Sequence, residues 1–130
     1  MLLPVLFFLF STAFSIPTVR TTTRPPTVTT TKATACRMCK ANTITVTNMG
    51  AGAKVMDRDV INQSGTCNAR TFTCKGRNAI IEWNQGRNGV TDDKNSGMAT
   101  QTLVCSSAGT WVFPGYPQIP ITFAECATIP

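Results

Sequence analysis

Two runs, Arg70-Thr71-Phe72-Thr73-Cys74-Lys75 and Ala79-Ile80-Ile81-Glu82-Trp83, carry the plainest structural signal in the chain. In the first, Phe72 and Cys74 alternate with threonines; in the second, Ala79, Ile81 and Trp83 share one parity against Glu82. Successive side chains of a strand point to opposite faces, so period two marks a half-buried strand. Outward from these runs the pattern recurs in Asn42–Thr47 (Ile44 and Val46), Thr100–Cys105, Thr110–Phe113 and Gln118–Phe123 (Ile119, Ile121 and Phe123). Val60-Ile61 adds a shorter run. Cys126 has the opposite parity to the last three residues, so a bulge or a strand end intervenes. Turn signals separate the runs at 48–52, 86–89, 95–97, 106–109 and 114–117. No stretch has the spacing of an amphipathic helix, and abundant Thr, Val and Ile favour strands. The pattern predicts an all-β fold: a small disulfide-stapled antiparallel β-sandwich or barrel of about seven short strands. Trp83 and Trp111 sit in alternating strands and read as core. Tyr116, between Gly115 and Pro117, reads as an exposed aromatic.

The chain ahead of these strands divides in two. Leu2–Phe14 carries no charge, and its thirteen residues make roughly 20 Å of helix against a hydrocarbon core of about 30 Å. Ala13 and Ser15 place small residues where a signal peptidase needs them, so residues 1–15 read as a cleaved signal peptide. Residues 16–35 hold nine threonines and three prolines and almost no large apolar side chains. Such a segment cannot repay the entropy of ordering, and reads as a disordered Thr/Pro-rich stalk of the O-glycosylated kind. The folded part is 36–130. The expected localisation is secreted and extracellular, with no membrane span.

Only 14% of the chain is charged, against about 25% in an ordinary soluble domain. The net charge of +6 splits evenly between the stalk (Arg20, Arg24, Lys32) and the folded part, which has nine basic and six acidic residues. The sequence contains no His, which removes Ser-His-Asp triads, Cys-His dyads and imidazole zinc sites. All six cysteines fall within 36–130, and an even count in a short exported module reads as three disulfides with fifteen possible connectivities. Cys36-Arg-Met-Cys39 has CxxC spacing but lacks the βαβ context of a redox site, and no second pair supports zinc. The six carboxylates, Asp57, Asp59, Glu82, Asp92, Asp93 and Glu125, show no arrangement for acid–base chemistry, and Asp92–Gly97 lacks the alternating acids of a calcium loop. The reading is therefore a non-enzyme without catalytic residues, metal or cofactor.

Asn62-Gln63-Ser64 is the one N-glycosylation sequon. Arg70, Lys75, Arg77 and Arg87 could form a basic patch, and Tyr116 could stack on a sugar ring. Tyr116, Arg70, Lys75 and Arg77 are the candidate ligand contacts. The expected partner is an extracellular protein or glycan, not nucleic acid, met by a monomeric, non-enzymatic binding or structural module; the alternative is a glycan-binding or defence-type protein that recognises anionic or glycan surfaces through Tyr116 and the basic residues.

A resemblance sharpens the class. The ordered pieces Cys36-x-x-Cys39, Ile44-Thr-Val46, Lys54-Val-Met56, Gly65-Thr-Cys67, Arg70–Cys74, Ala79–Glu82, Leu103-Val-Cys105, Ala108–Phe113 and Ala124-Glu-Cys126 resemble the six-cysteine extracellular domain of many nematode proteins. The resemblance covers essentially all of 36–130 and implies a Thr-rich spacer ahead of the domain. It also implies that the first and third cysteines pair, Cys36 with Cys67. Thr102–Cys105 followed by Gly109-Thr-Trp111 resembles the closing half of a sushi module, which would pair Cys39–Cys105 and Cys74–Cys126. An immunoglobulin-like Cys74–Cys105 bridge packed on Trp83 is the competing arrangement.

Overall fold

The computed structural model describes residues 35–128. The segments read as signal peptide and stalk, apart from Ala35, lie outside the described residues. Nine strands follow a single 3-10 turn at Ala41–Thr43: β1 (Thr45–Thr47), β2 (Ala53–Lys54), β3 (Arg58–Asn62), β4 (Ala69–Lys75), β5 (Ala79–Trp83), β6 (Val90–Asp92), β7 (Met98–Cys105), β8 (Trp111–Val112) and β9 (Phe123–Thr128). They form two sheets, one ordered β1-β9-β5-β6 with β2 also on β9, the other β3-β4-β7-β8. The fold is a small β-sandwich. The period-two runs at 70–75 and 79–83 are β4 and β5, and they fall in opposite sheets.

One pairing departs from the antiparallel expectation: β1 runs parallel to β9. Residues Phe123–Glu125 pair with β1, and Cys126–Ala127 pair with β2 running the other way. The reversal at 48–52 is held by Glu125, whose Oε1 accepts hydrogen bonds from Thr47 Oγ1 (3.1 Å), Met49 N (3.0 Å) and Gly50 N (3.0 Å). A Cβ at Gly50 would sit 2.4 Å from Glu125 Oε2, so a larger residue there must displace this carboxylate. A buried carboxylate is thus satisfied by three donors instead of a cation.

The core lies between the sheets, built from Phe72, Ile81, Trp83, Leu103, Trp111 and Ile121. Trp83 meets Phe72 and Phe113 edge-on, each at 5.5 Å between centroids. Its indole N–H donates to Thr91 Oγ1, and that of Trp111 donates to the Lys40 carbonyl, so neither buried donor is left unpaired. On the outer face of β4 and β7, Thr71 pairs with Thr102 (2.9 Å between hydroxyls) and Thr73 with Thr100 (3.3 Å). Cross-strand hydroxyl pairs fill positions where a more charged protein would place ion pairs.

The structure joins Cys36 to Cys67, Cys39 to Cys105 and Cys74 to Cys126. The Cys74–Cys105 alternative does not form. Cys74–Cys126 ties β4 to β9 across the sandwich, both residues fully buried. The other two bridges pin residues 36–39 to the neighbourhood of β4's start and β7's end.

Two expectations need correction. Gln118–Phe123 is not a strand: the chain there is turn and coil with one bridge at Pro120, and β9 begins only at Phe123. Pro117 and Pro120 lack the N–H a ladder needs, so Ile121 packs inward from a loop. The parity break before Cys126 is the junction of this loop with β9. Val46 does not share the burial of Ile44; it is exposed on edge strand β1. The described residues hold nine strands, the two- and three-residue edge strands β2 and β6 joining those that the alternation marked.

Candidate functional site

Each nominated residue has a definite place. Arg70 is 3% exposed and faces inward with Phe72 and Cys74, so it offers nothing to a ligand. Its guanidinium grips Asp59 through two 2.7 Å bonds, donates to the Ala41 carbonyl (2.7 Å) and lies 4.8 Å over the Phe72 ring. Lys75, the last residue of β4, and Arg77, in the β4–β5 connection, are both exposed near the start of β5. Tyr116 is 56% exposed on the β8–β9 loop, and that loop meets the far end of β5, where Trp83 pairs with Ala124. Arg87, in the β5–β6 turn, belongs to that far end too. The basic residues therefore form no single patch.

Asn62 is exposed at the end of β3, and its Oδ1 accepts from Ser64 N (2.9 Å) and Ser64 Oγ (2.7 Å) within the sequon. Asp57 lies at the Lys75 end. A hydrogen bond from the Lys54 ammonium, then one from the Lys75 backbone N–H, hold its carboxyl below the usual carboxylate range. Asp57 also approaches the Cys74 and Cys126 sulfurs. Those sulfurs are bonded to each other, and a cation needs thiolate. The Asp92–Gly97 loop is self-satisfied: both Asp93 carboxylate oxygens take backbone amides, from Ala79, Asn95 and Gly97.

A shaped surface lies at the far end of β5. A concavity of about 670 Å³ is lined by Thr43, Thr45, Gln85, Arg87 and Thr122 among others, and an adjoining one of about 470 Å³ by Gln101, Phe113, Pro114, Tyr116 and Ile119. Asn88 lines both. Both volumes fall in the range of small-ligand sites. Asn84 builds this end. Its Oδ1 accepts from Thr122 N (2.8 Å), Thr122 Oγ1 (3.3 Å) and Phe123 N (3.1 Å), while its Nδ2 donates to the Pro120 carbonyl (3.0 Å) and to Asn88 Oδ1. One side chain thereby locks the β5–β6 turn onto the β8–β9 loop. Asn84 and Gln85 both hold positive φ, +50° and +57°, a conformation Asn tolerates better than most residues.

Asn84→Ala removes these bonds and strains the turn, and is expected to cost about 2–3 kcal/mol, whereas Asn84→Asp keeps the acceptor and costs about 1. Thermal melts of the two variants check this; equal losses would show that the amide network is not what holds the turn.

Of the residues at this end, sequence reasoning nominated Tyr116 as a ligand contact and gave Arg87 only to a basic patch with Arg70, Lys75 and Arg77; it missed Asn84, Gln85, Asn88 and Gln101. The two glycines around Arg87-Asn88 announced a turn; nothing local announced which loop it would face.

No helix among the described residues is long and apolar enough to cross a membrane. The class is thus a cystine-stapled β-sandwich with a concave, amide-rich end. Over 110 residues, 82% of this chain and 69% of the relative, the sequence is 33% identical to the uncharacterized protein R07B1.7 of Caenorhabditis elegans. The chain belongs to the same family as that nematode protein. No family model matches the chain. No solved structure matches it either.

Proposed function

We propose that this chain is a secreted, monomeric, non-enzymatic extracellular binding module of the nematode six-cysteine domain family, and that the concave end around Asn88 is its binding face. The observation that carries the reading is the unspent hydrogen-bonding capacity gathered there on fixed loops. The Arg87 guanidinium and Asn88 Nδ2 have no partner among the described residues, and Tyr116 presents its ring to solvent beside them. Three paired disulfides, with no free cysteine among the described residues, support an oxidising compartment. The non-enzymatic reading rests on the carboxylates. Asp57 is paired with Lys54 and Asp59 with Arg70, while Asp93 and Glu125 accept local donors, so none of these four is poised for proton transfer.

Expression of the full chain in a secretory eukaryotic host tests this. The expected product is in the medium, begins at Ile16, is fully oxidised, and loses mass at Asn62 on endoglycosidase treatment. Retention inside the cell as a reduced chain overturns the extracellular reading.

A further inference from the structure

We propose that the concave end binds an acidic sugar, with a pyranose ring seated on Tyr116 and its carboxylate or sulfate held by Arg87. The inference deepens the binding reading above and rests on it.

The chemistry of the two adjoining hollows selects the ligand. One wall is apolar but shallow: Phe113, Pro114 and Ile119 flank a tyrosine that is 56% exposed. An apolar peptide anchor needs enclosure, because its affinity comes from surface withdrawn from water. A sugar needs an aromatic face for its C–H side and keeps its hydroxyls available to polar neighbours. Those neighbours are present. Gln101 is fixed by donating to the Thr102 carbonyl (3.0 Å) and accepting from Thr91 Oγ1 (3.4 Å), which leaves its amide one N–H and one lone pair. Asn88 is fixed through Oδ1 and has Nδ2 to give. Planar amides of this kind pair with adjacent hydroxyls, each supplying a donor or an acceptor.

Charge completes the assignment. Arg87 is the one charged side chain lining either hollow, and no carboxylate lines them. A planar guanidinium matches carboxylate or sulfate in a two-pronged geometry that hydroxyls alone do not fill. One cation suits one acidic substituent; a nucleic-acid backbone would need several in a row. The ligand is therefore a glycan bearing single acidic sugars.

The test uses the full chain, secreted, biotinylated and displayed as a tetramer on streptavidin so that weak single-site binding is visible. The probes are immobilised 3′-sialyllactose (carboxylate), 3′-sulfated lactose (sulfate) and lactose (neutral) at 150 mM salt. Binding to one or both acidic probes, with at least tenfold loss in Arg87→Gln and in Tyr116→Ala and none in the double variant Lys75→Gln/Arg77→Gln, supports the proposal. Both site residues are exposed, so unchanged melting temperatures are expected and confirm that the variants fold. Binding that follows Lys75 and Arg77 instead overturns it, as does equal binding of lactose or no binding to any probe. A properly secreted, oxidised chain that binds none of the three sinks the sugar assignment and leaves the extracellular module standing; a chain that is not exported sinks the module itself.

Discussion

Replacing both cysteines of the buried bridge, C74A/C126A, lowers the melting temperature by roughly 15–30 °C, about twice the fall produced by C36A/C67A. Chain entropy alone does not separate the two. Loops of 52 and 31 residues give about 4 and 3.7 kcal/mol, a difference of a few tenths. Packing makes the distinction. Cys74 and Cys126 are fully buried between β4 and β9, so alanines there leave a void where, among the described residues, a disulfide joins strands of the two sheets. Cys36 is buried too, at 4% exposure, but Cys67 is half-buried at the rim, where its neighbours can settle around a smaller residue. A domain this size has roughly 5–14 kcal/mol of stability in total, so the core variant lies near the edge of folding at all. Calorimetry of the three proteins under non-reducing conditions decides it. A larger fall for C36A/C67A would show that the bridge near the N-terminus, not the core staple, sets stability.

Arg70→Ala is expected to cost about 3 kcal/mol, more than any exposed charge in the chain. A guanidinium that has lost water must find partners, and Arg70 has a bidentate carboxylate, a backbone carbonyl and an aromatic face. Removing one member of a buried pair typically costs 3–5 kcal/mol. The Asp59 side chain keeps 30% exposure and regains some hydration, which puts this case at the lower end. Arg70→Lys keeps the charge and loses the fork, for an intermediate loss. Urea unfolding of Arg70→Ala, Asp59→Asn and the double variant gives the coupling between them. A single-variant loss below about 1 kcal/mol would show that the contact with Asp59 is ordinary surface pairing.

Arg70 also shows where sequence reading stopped. Its parity matched Phe72 and Cys74, the inward residues of β4, so its burial was written in the alternation. Its partner was not, because Asp59 reaches it only after β3 pairs with β4 in the observed register. The boundaries of β5 and the burial of both tryptophans followed from alternation alone, since large side chains at period two leave little choice. β9 was misplaced for the converse reason. Its inward residues Ala124 and Cys126 are small, while the preceding proline-bearing loop carries the bulky isoleucines. The concave end was the least legible part. Asn84, Gln101 and Tyr116 come from three separate segments, and only the fold brings them to one surface.

The bridge pattern has a mechanical consequence. From Cys36 a covalent path crosses to Cys67, runs seven residues to Cys74, and crosses again to Cys126. Pulled taut, that path measures about 35 Å, whereas the same 90 residues without bridges would stretch to about 310 Å. A load applied between Cys36 and Cys126 is thus carried by two sulfur–sulfur bonds and a short piece of backbone, not by hydrogen bonds between strands. Under tension the domain behaves as a link of nearly fixed length. Melting its sheets would add almost nothing to its reach.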